Sequence, residues 1–175
     1  MCAGRFPPIL WRATIPAGAV RAVTEAPSAK RLERLLEVFQ TIPHCLELGL
    51  KVVEFEPGTG TIRLDYQERL VGNVEFGFVH GGVITTVLDT VAGLAAFSTV
   101  KEDTSVATLD FRIDYLKPAT PEMAIFGFAE CYKTTRHVAF TRGYAHHGDA
   151  DNLIANCAAT FMLGSVGYTV GGEKG

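Results

Sequence analysis

Apolar residues recur along this chain in two rhythms. Leu32, Leu35, Leu36 and Phe39 return at helical spacing, with Ser28 standing where an N-cap belongs and Pro43 closing the run. The stretch GLKVVEFEPGTGTIRLDYQ changes rhythm and predicts two strands around a turn at Pro57-Gly58-Thr59-Gly60. Ile62, Leu64 and Tyr66 alternate there with Arg63 and Asp65, which predicts one buried face. Residues 67–79, with Gly72, Asn73 and Gly77, read as a loop. Residues 82–98 are too long for one strand and apolar nearly all round, so they predict a helix at the centre of the fold. Four strand-like runs follow: SVATLDFRIDYL, with Leu109, Phe111, Ile113 and Tyr115 on one face, then MAIFGFAECY, HVAFTRGYAHH and LIANCAATFML. Helix, two strands, long helix, four strands is an α+β order, best satisfied by an antiparallel sheet wrapped around one long central helix.

Composition narrows this picture. The 175 residues suit one domain, with residues 31–165 as the folded unit, 1–30 as a poorly structured N-terminal arm and 166–175 as a tail. In the arm, Arg5, Arg12 and Arg21 occur with no acid before Glu25, which would suit organelle targeting. Pro7, Pro8, Pro16 and Pro27 break the amphipathic helix that targeting needs, so an arm is the preferred reading. A net charge of −3 argues against nucleic acid as a partner. Residues 79–100 are long enough to span a membrane, but Asp89 would sit near mid-bilayer with no second span to shelter it. Cys2, Cys45, Cys131 and Cys157 form no CxxC pair and no Cys/His cluster at zinc spacing. They read as reduced thiols of a cytoplasmic protein that holds no metal.

The segment FGFVHGGVITTVLDTVAGLAAFS, residues 76–98, places a single acid in an apolar helix, which is costly unless the acid is paired or used. With VHGGVITTVLDTVAGLAA at its centre, the whole order resembles the hotdog fold. More narrowly it resembles the acyl-CoA thioesterases of the phenylacetate-pathway (PaaI-like) family. His80-Gly81-Gly82, with Asp89 nine positions after the histidine, stand where that family carries HGG and its acid. Tyr115-Leu116-Lys117-Pro118 and ANCAATF match its next strand ending and its closing strand, so the resemblance covers about residues 40–164. It implies hydrolysis of short, medium or aromatic acyl-CoA to acid and CoA without a cofactor. It also implies a site shared between two copies; the helix length and an edge strand that one copy leaves unpaired predict a homodimer that pairs again into a homotetramer. Thr108 matches a Ser/Thr that assists from the acid-bearing chain, and Arg136 and His137 lie where basic residues of relatives meet CoA phosphates. Many relatives carry an Asn shortly before HGG; Asn73 lies seven residues before His80. Gly82, Asn73, Thr86, Arg136 and His137 are therefore the candidate substrate-binding residues, and Asp89, Gly81, His80 and Thr108 the candidate catalytic ones.

The residues themselves suit this chemistry. The Gly81 and Gly82 N–H groups fall at a helix start, where the first donors lack intrahelical partners and the dipole favours negative charge. Such a backbone oxyanion site is worth a few kcal/mol in a transition state. Asp89 is then nucleophile or general base, and His80 holds the thioester or orients the loop. Gly81 and Asp89 are eight residues apart on one helix, roughly 12 Å along its axis, so both reach one carbonyl only if they come from two chains. Plainer readings compete: Asp89 bonded to Thr85 or Thr86, His80 in a structural hydrogen bond, the glycines as a tight turn, and Arg136 and His137 as a solvated pair. Two other functions also compete, a hotdog hydratase or dehydratase and a non-catalytic acyl-CoA-binding protein. Neither is expected to release free CoA.

Overall fold

The computed structural model describes residues 29–101 and 104–164; residues 1–28 of the N-terminal arm, Ser28 among them, and the C-terminal tail lie outside the described residues. Helix α1 (Ala29–Phe39) is followed by a short helix α2 (Pro43–Leu48), which the sequence reading did not foresee. Pro43, read as a stop, starts α2 instead, because a first-turn proline surrenders an N–H that has no helical partner anyway. Strands β1 (Leu50–Glu56) and β2 (Thr59–Leu64) meet at Pro57-Gly58, with Thr59 and Gly60 already in the second strand. The expected loop 67–79 carries more structure than predicted. It holds a 3-10 turn (Glu68–Leu70) and a small hairpin of β3 (Val71–Asn73) and β4 (Phe78–Val79).

The long helix, α3 (Gly81–Phe97), leads into β5 (Val106–Tyr115), β6 (Ile125–Thr134), β7 (Val138–His146) and β8 (Ala155–Leu163). These four strands join the first pair in one antiparallel sheet of order β1-β2-β6-β7-β8-β5. The helix packs on the inner face of that sheet, mainly against β6, β7 and β2. Val87, Leu88, Val91, Ala92 and Ala95 are wholly buried against it. Each large aliphatic side chain among them contributes roughly 1.5–3 kcal/mol. Contact is close because β6 carries Gly127: a Cβ there would stand 2.6 Å from Val87 Cγ1.

The helix, central and apolar nearly all round as expected, leaves one face partly open. Gly82, Thr86, Asp89, Gly93 and Phe97 form a partly open stripe of small, polar and aromatic residues. One expectation is corrected here. Leu109 does not share a face with Phe111, Ile113 and Tyr115. The β5–β8 register pairs Thr108 with Phe161 and Asp110 with Thr160, so Leu109 has no partner on β8 and lies exposed. This bulge resets the alternation and turns Thr108 to the face that meets α3.

Candidate active site

The start of α3 is held from three sides. His80 is the N-cap residue, with extended backbone, and its Nδ1 accepts a hydrogen bond from the Gly82 N–H at 2.9 Å. The His80 N–H donates to the Leu70 carbonyl (2.9 Å), and the Val83 N–H donates to the His80 carbonyl (2.9 Å). From the far end of β5, the Tyr115 hydroxyl donates to the Gly81 carbonyl at 2.8 Å and lies 2.6 Å from the Thr85 hydroxyl. Of the two glycine N–H groups expected at an oxyanion site, that of Gly82 is thus engaged by the cap. The Gly81 N–H has no partner among the described residues.

Gly72 and Tyr115 are the positioning residues that sequence reasoning missed. A Cβ on Gly72 would stand 2.7 Å from His80 Cα, so only a bare backbone in β3 lets the cap seat itself. The local signal at Gly72, a glycine beside an asparagine, reads as a turn. Asn73 itself is exposed, and its Oδ1 accepts from the Phe76 N–H at 3.1 Å within the hairpin.

Asp89 lies further along the open stripe of α3. Its Oδ1 accepts from the Thr108 hydroxyl at 3.1 Å. Thr85 and Thr86, the alternative partners, donate instead to the carbonyls of Gly81 (3.2 Å) and Gly82 (3.0 Å), one turn back. Burial pushes the Asp89 carboxyl above the ordinary carboxylate range, and the Thr108 hydrogen bond offsets part of that rise. Asp89 and Thr108 mark the polar end of a cavity of about 210 Å³, whose other walls come from α1, α3 and the sheet.

Arg136 and His137 are exposed on the β6–β7 hairpin. This hairpin is at the Thr108 end of the sheet, because Ala139 pairs with Phe161 and Phe161 with Thr108. The sheet therefore sorts the candidate residues. Asp89, Thr108, Arg136 and His137 gather towards one end; His80, Gly81, Gly82 and Asn73 gather at the other, with Thr86 between. Among the described residues no group of His, Cys, Asp and Glu is arranged to hold a metal ion, and no helix is long and apolar enough to cross a membrane. Cys45, Cys131 and Cys157 are free thiols, and burial pushes Cys157 up to about 12, leaving it unreactive.

The sequence pattern of the thioesterase superfamily matches residues 76–153, the stretch that contains α3 and Asp89. The medium/long-chain acyl-CoA thioesterase YigI of Salmonella typhimurium is 30% identical over 156 residues, spanning 82% of this chain and 99% of that protein. A crystal structure from Pseudomonas aeruginosa is 43% identical, with a TM-score of 0.66 over 75% of this chain and 97% of that one. The phenylacetic acid degradation protein PaaI of Thermus thermophilus, solved as a point mutant, shares the fold with a TM-score of 0.61 at 21% identity over 69% of this chain and 98% of that one. Sheet, helix and comparisons define a hotdog-fold enzyme that hydrolyses thioesters. The chain belongs to the thioesterase superfamily.

Proposed function

We propose that this protein hydrolyses acyl-CoA thioesters with short, medium or aromatic acyl groups, in a site that two copies share. One copy supplies the Gly81 N–H; the other supplies Asp89 with Thr108. The carrying observation is the separation of the two groups on one helix, with Gly81 pinned by Tyr115 and Asp89 bonded to Thr108. Eight residues of helix put them roughly 12 Å apart, beyond the reach of one carbonyl. An antiparallel pair of α3 helices about a two-fold axis brings each Gly81 beside the other chain's Asp89.

Surface features support the seam. β5 is an edge strand ten residues long, a template that proteins rarely leave uncovered. Phe76, Leu109, Tyr115 and Leu116, on the hairpin and along and just beyond that edge, are all more than half exposed or close to it. The open stripe of α3, with Gly82 and Thr86, would face the partner. The outer sheet face, where the half-buried rings of Phe126, Phe128, Tyr144 and His146 lie against one another, suits a second pairing into a tetramer. Reduced thiols at Cys45, Cys131 and Cys157 suit the cytoplasm.

In the reaction, the thioester carbonyl accepts from the Gly81 N–H, and negative charge grows on its oxygen as the carbon is attacked. As general base, Asp89 takes a proton from water while the water oxygen bonds to that carbon. The tetrahedral intermediate collapses, the C–S bond breaks, and the thiolate of CoA leaves with the proton held by Asp89. As nucleophile, Asp89 forms an anhydride with release of CoA, and water then cleaves it. Thr108 orients the carboxylate in either route, while Arg136 offers a cation and His137 a ring N–H to CoA phosphates.

Subunit mixing tests the shared site. Asp89→Ala and Gly81→Pro are each expected to be nearly inactive, the second because proline lacks the donor N–H. After exchange of folded, dimeric variants, half the dimers are mixed and each has one intact site. CoA release should then recover to about a quarter of wild type. No recovery after verified exchange refutes the shared arrangement.

A further inference from the structure

The cavity that ends at Asp89 has a shape and a lining that say more about the acyl group. It runs along the open stripe of α3, past Gly93 and Leu94 to Phe97, under a roof made by Leu35, Val38 and Phe39 of α1. Its polar side chains, Asp89, Thr90 and Thr108, belong to the Asp89 end. The Thr90 hydroxyl donates to the Thr86 carbonyl at 2.6 Å. Among the described lining residues no side chain beyond this end offers a hydrogen bond to a hydroxylated or charged acyl group, and such a group would be stranded there.

We infer that this cavity receives the acyl chain, that it selects straight, unsubstituted chains of medium length, and that α1 and Phe97 set the upper limit. The inference rests on the thioesterase reading above and names its substrate class. The length of the helix sets the size. From Asp89 to Phe97 the helix advances roughly 12 Å. An extended chain advances ~1.2 Å per bond, by analogy with three backbone bonds per residue, which gives about ten bonds. Octanoyl and decanoyl chains fill the space; palmitoyl overruns it. Gly93 keeps the middle of the channel open. A Cβ there meets only Phe161, at an ordinary 3.6 Å, but the branches of a larger side chain enter the cavity. The acyl chain lies with the same subunit that supplies Asp89, so that α1 of one copy grades the substrate for the carboxylate of that same copy.

The test is the kcat/KM profile of the full-length protein over acetyl- to palmitoyl-CoA, with benzoyl- and phenylacetyl-CoA alongside. Wild type is expected to peak at octanoyl or decanoyl. Gly93→Leu should lower the octanoyl-to-acetyl ratio about tenfold or more, and Phe97→Ala should raise the myristoyl-to-octanoyl ratio by a similar factor. Val38→Phe, which fills the channel from α1, is read like Gly93→Leu, so misfolding of one variant does not decide the matter. Overturning results are an aromatic substrate that outruns octanoyl in wild type, or ratios that stay fixed in folded variants of both kinds. If those ratios stay fixed while Asp89→Asn abolishes CoA release, the acyl channel fails and the catalytic reading stands. Absence of CoA release from every thioester in wild type sinks both.

Discussion

At the start of α3 the N–H groups of His80, Gly82 and Val83 all have partners, and the Gly81 carbonyl is held by Tyr115. Eight residues on, Asp89 has one hydroxyl partner and an apolar cavity beside it. The first region is made of backbone and one capping ring, is fixed by packing, and costs the fold little. The second holds a charge in partly desolvated surroundings and weakens the fold in exchange for reactivity. An oxyanion donor must be rigid before charge develops, whereas a base must be unhappy as an anion to seize a proton. One helix meets both demands by placing them two turns apart.

The comparison breaks most sharply at Asp89. Asp89→Asn should lower turnover by ~10² to 10⁴-fold while leaving the fold intact, measured as CoA release and circular dichroism. The same variant should be more stable than wild type at neutral pH. The folded state raises the carboxyl's pKa and so binds its proton more tightly than the unfolded chain. Wild-type stability therefore falls as pH rises from about 3.9, the unfolded value, to the raised folded value, and the penalty is complete above it. The gain in Asp89→Asn should accordingly vanish on acidification below that window; a gain that persisted there would point to packing instead of charge.

At the other end, Gly72→Ala should cost about 1–3 kcal/mol of stability, because its Cβ would overlap the His80 backbone and push the cap off Gly82. Denaturant titration gives the loss. Steady-state kinetics should show it accompanied by a fall in kcat, since the Gly81 donor moves with the cap. Normal kcat in a folded Gly72→Ala would separate the cap from the reaction.

The smallest effect is expected at Thr108→Val. This removes the hydrogen bond that lowers the Asp89 pKa, so the acid limb of the kcat/KM profile should shift to higher pH. An unmoved limb would mean that Thr108 does not touch the titrating carboxylate.

The sequence carried the fold because the long apolar run and the strand alternation are local patterns. Asp89 stood out as the one acid in such a run. What stayed hidden depends on contacts between distant segments. Leu109 keeps phase with Phe111 in the sequence, and the bulge that expels it appears only in the pairing with β8. The HGG triplet presents two equivalent glycines; the turn of the His80 ring onto the Gly82 N–H makes them unequal. The periodicity of α1 was plain, but that its apolar face roofs a cavity ending at Asp89 is a fact of packing.

The notch at Gly127 bears on how this enzyme can respond to substrate. Val87 sits in it like a detent, and Asp89, two residues on, points roughly 200° around the helix from it. The helix cannot roll without lifting Val87 out of its seat against the sheet. The azimuth of the carboxylate is thus clocked from behind by a missing side chain. Accommodation of different acyl groups falls to α1 and to the seam between copies, while the acid keeps its bearing.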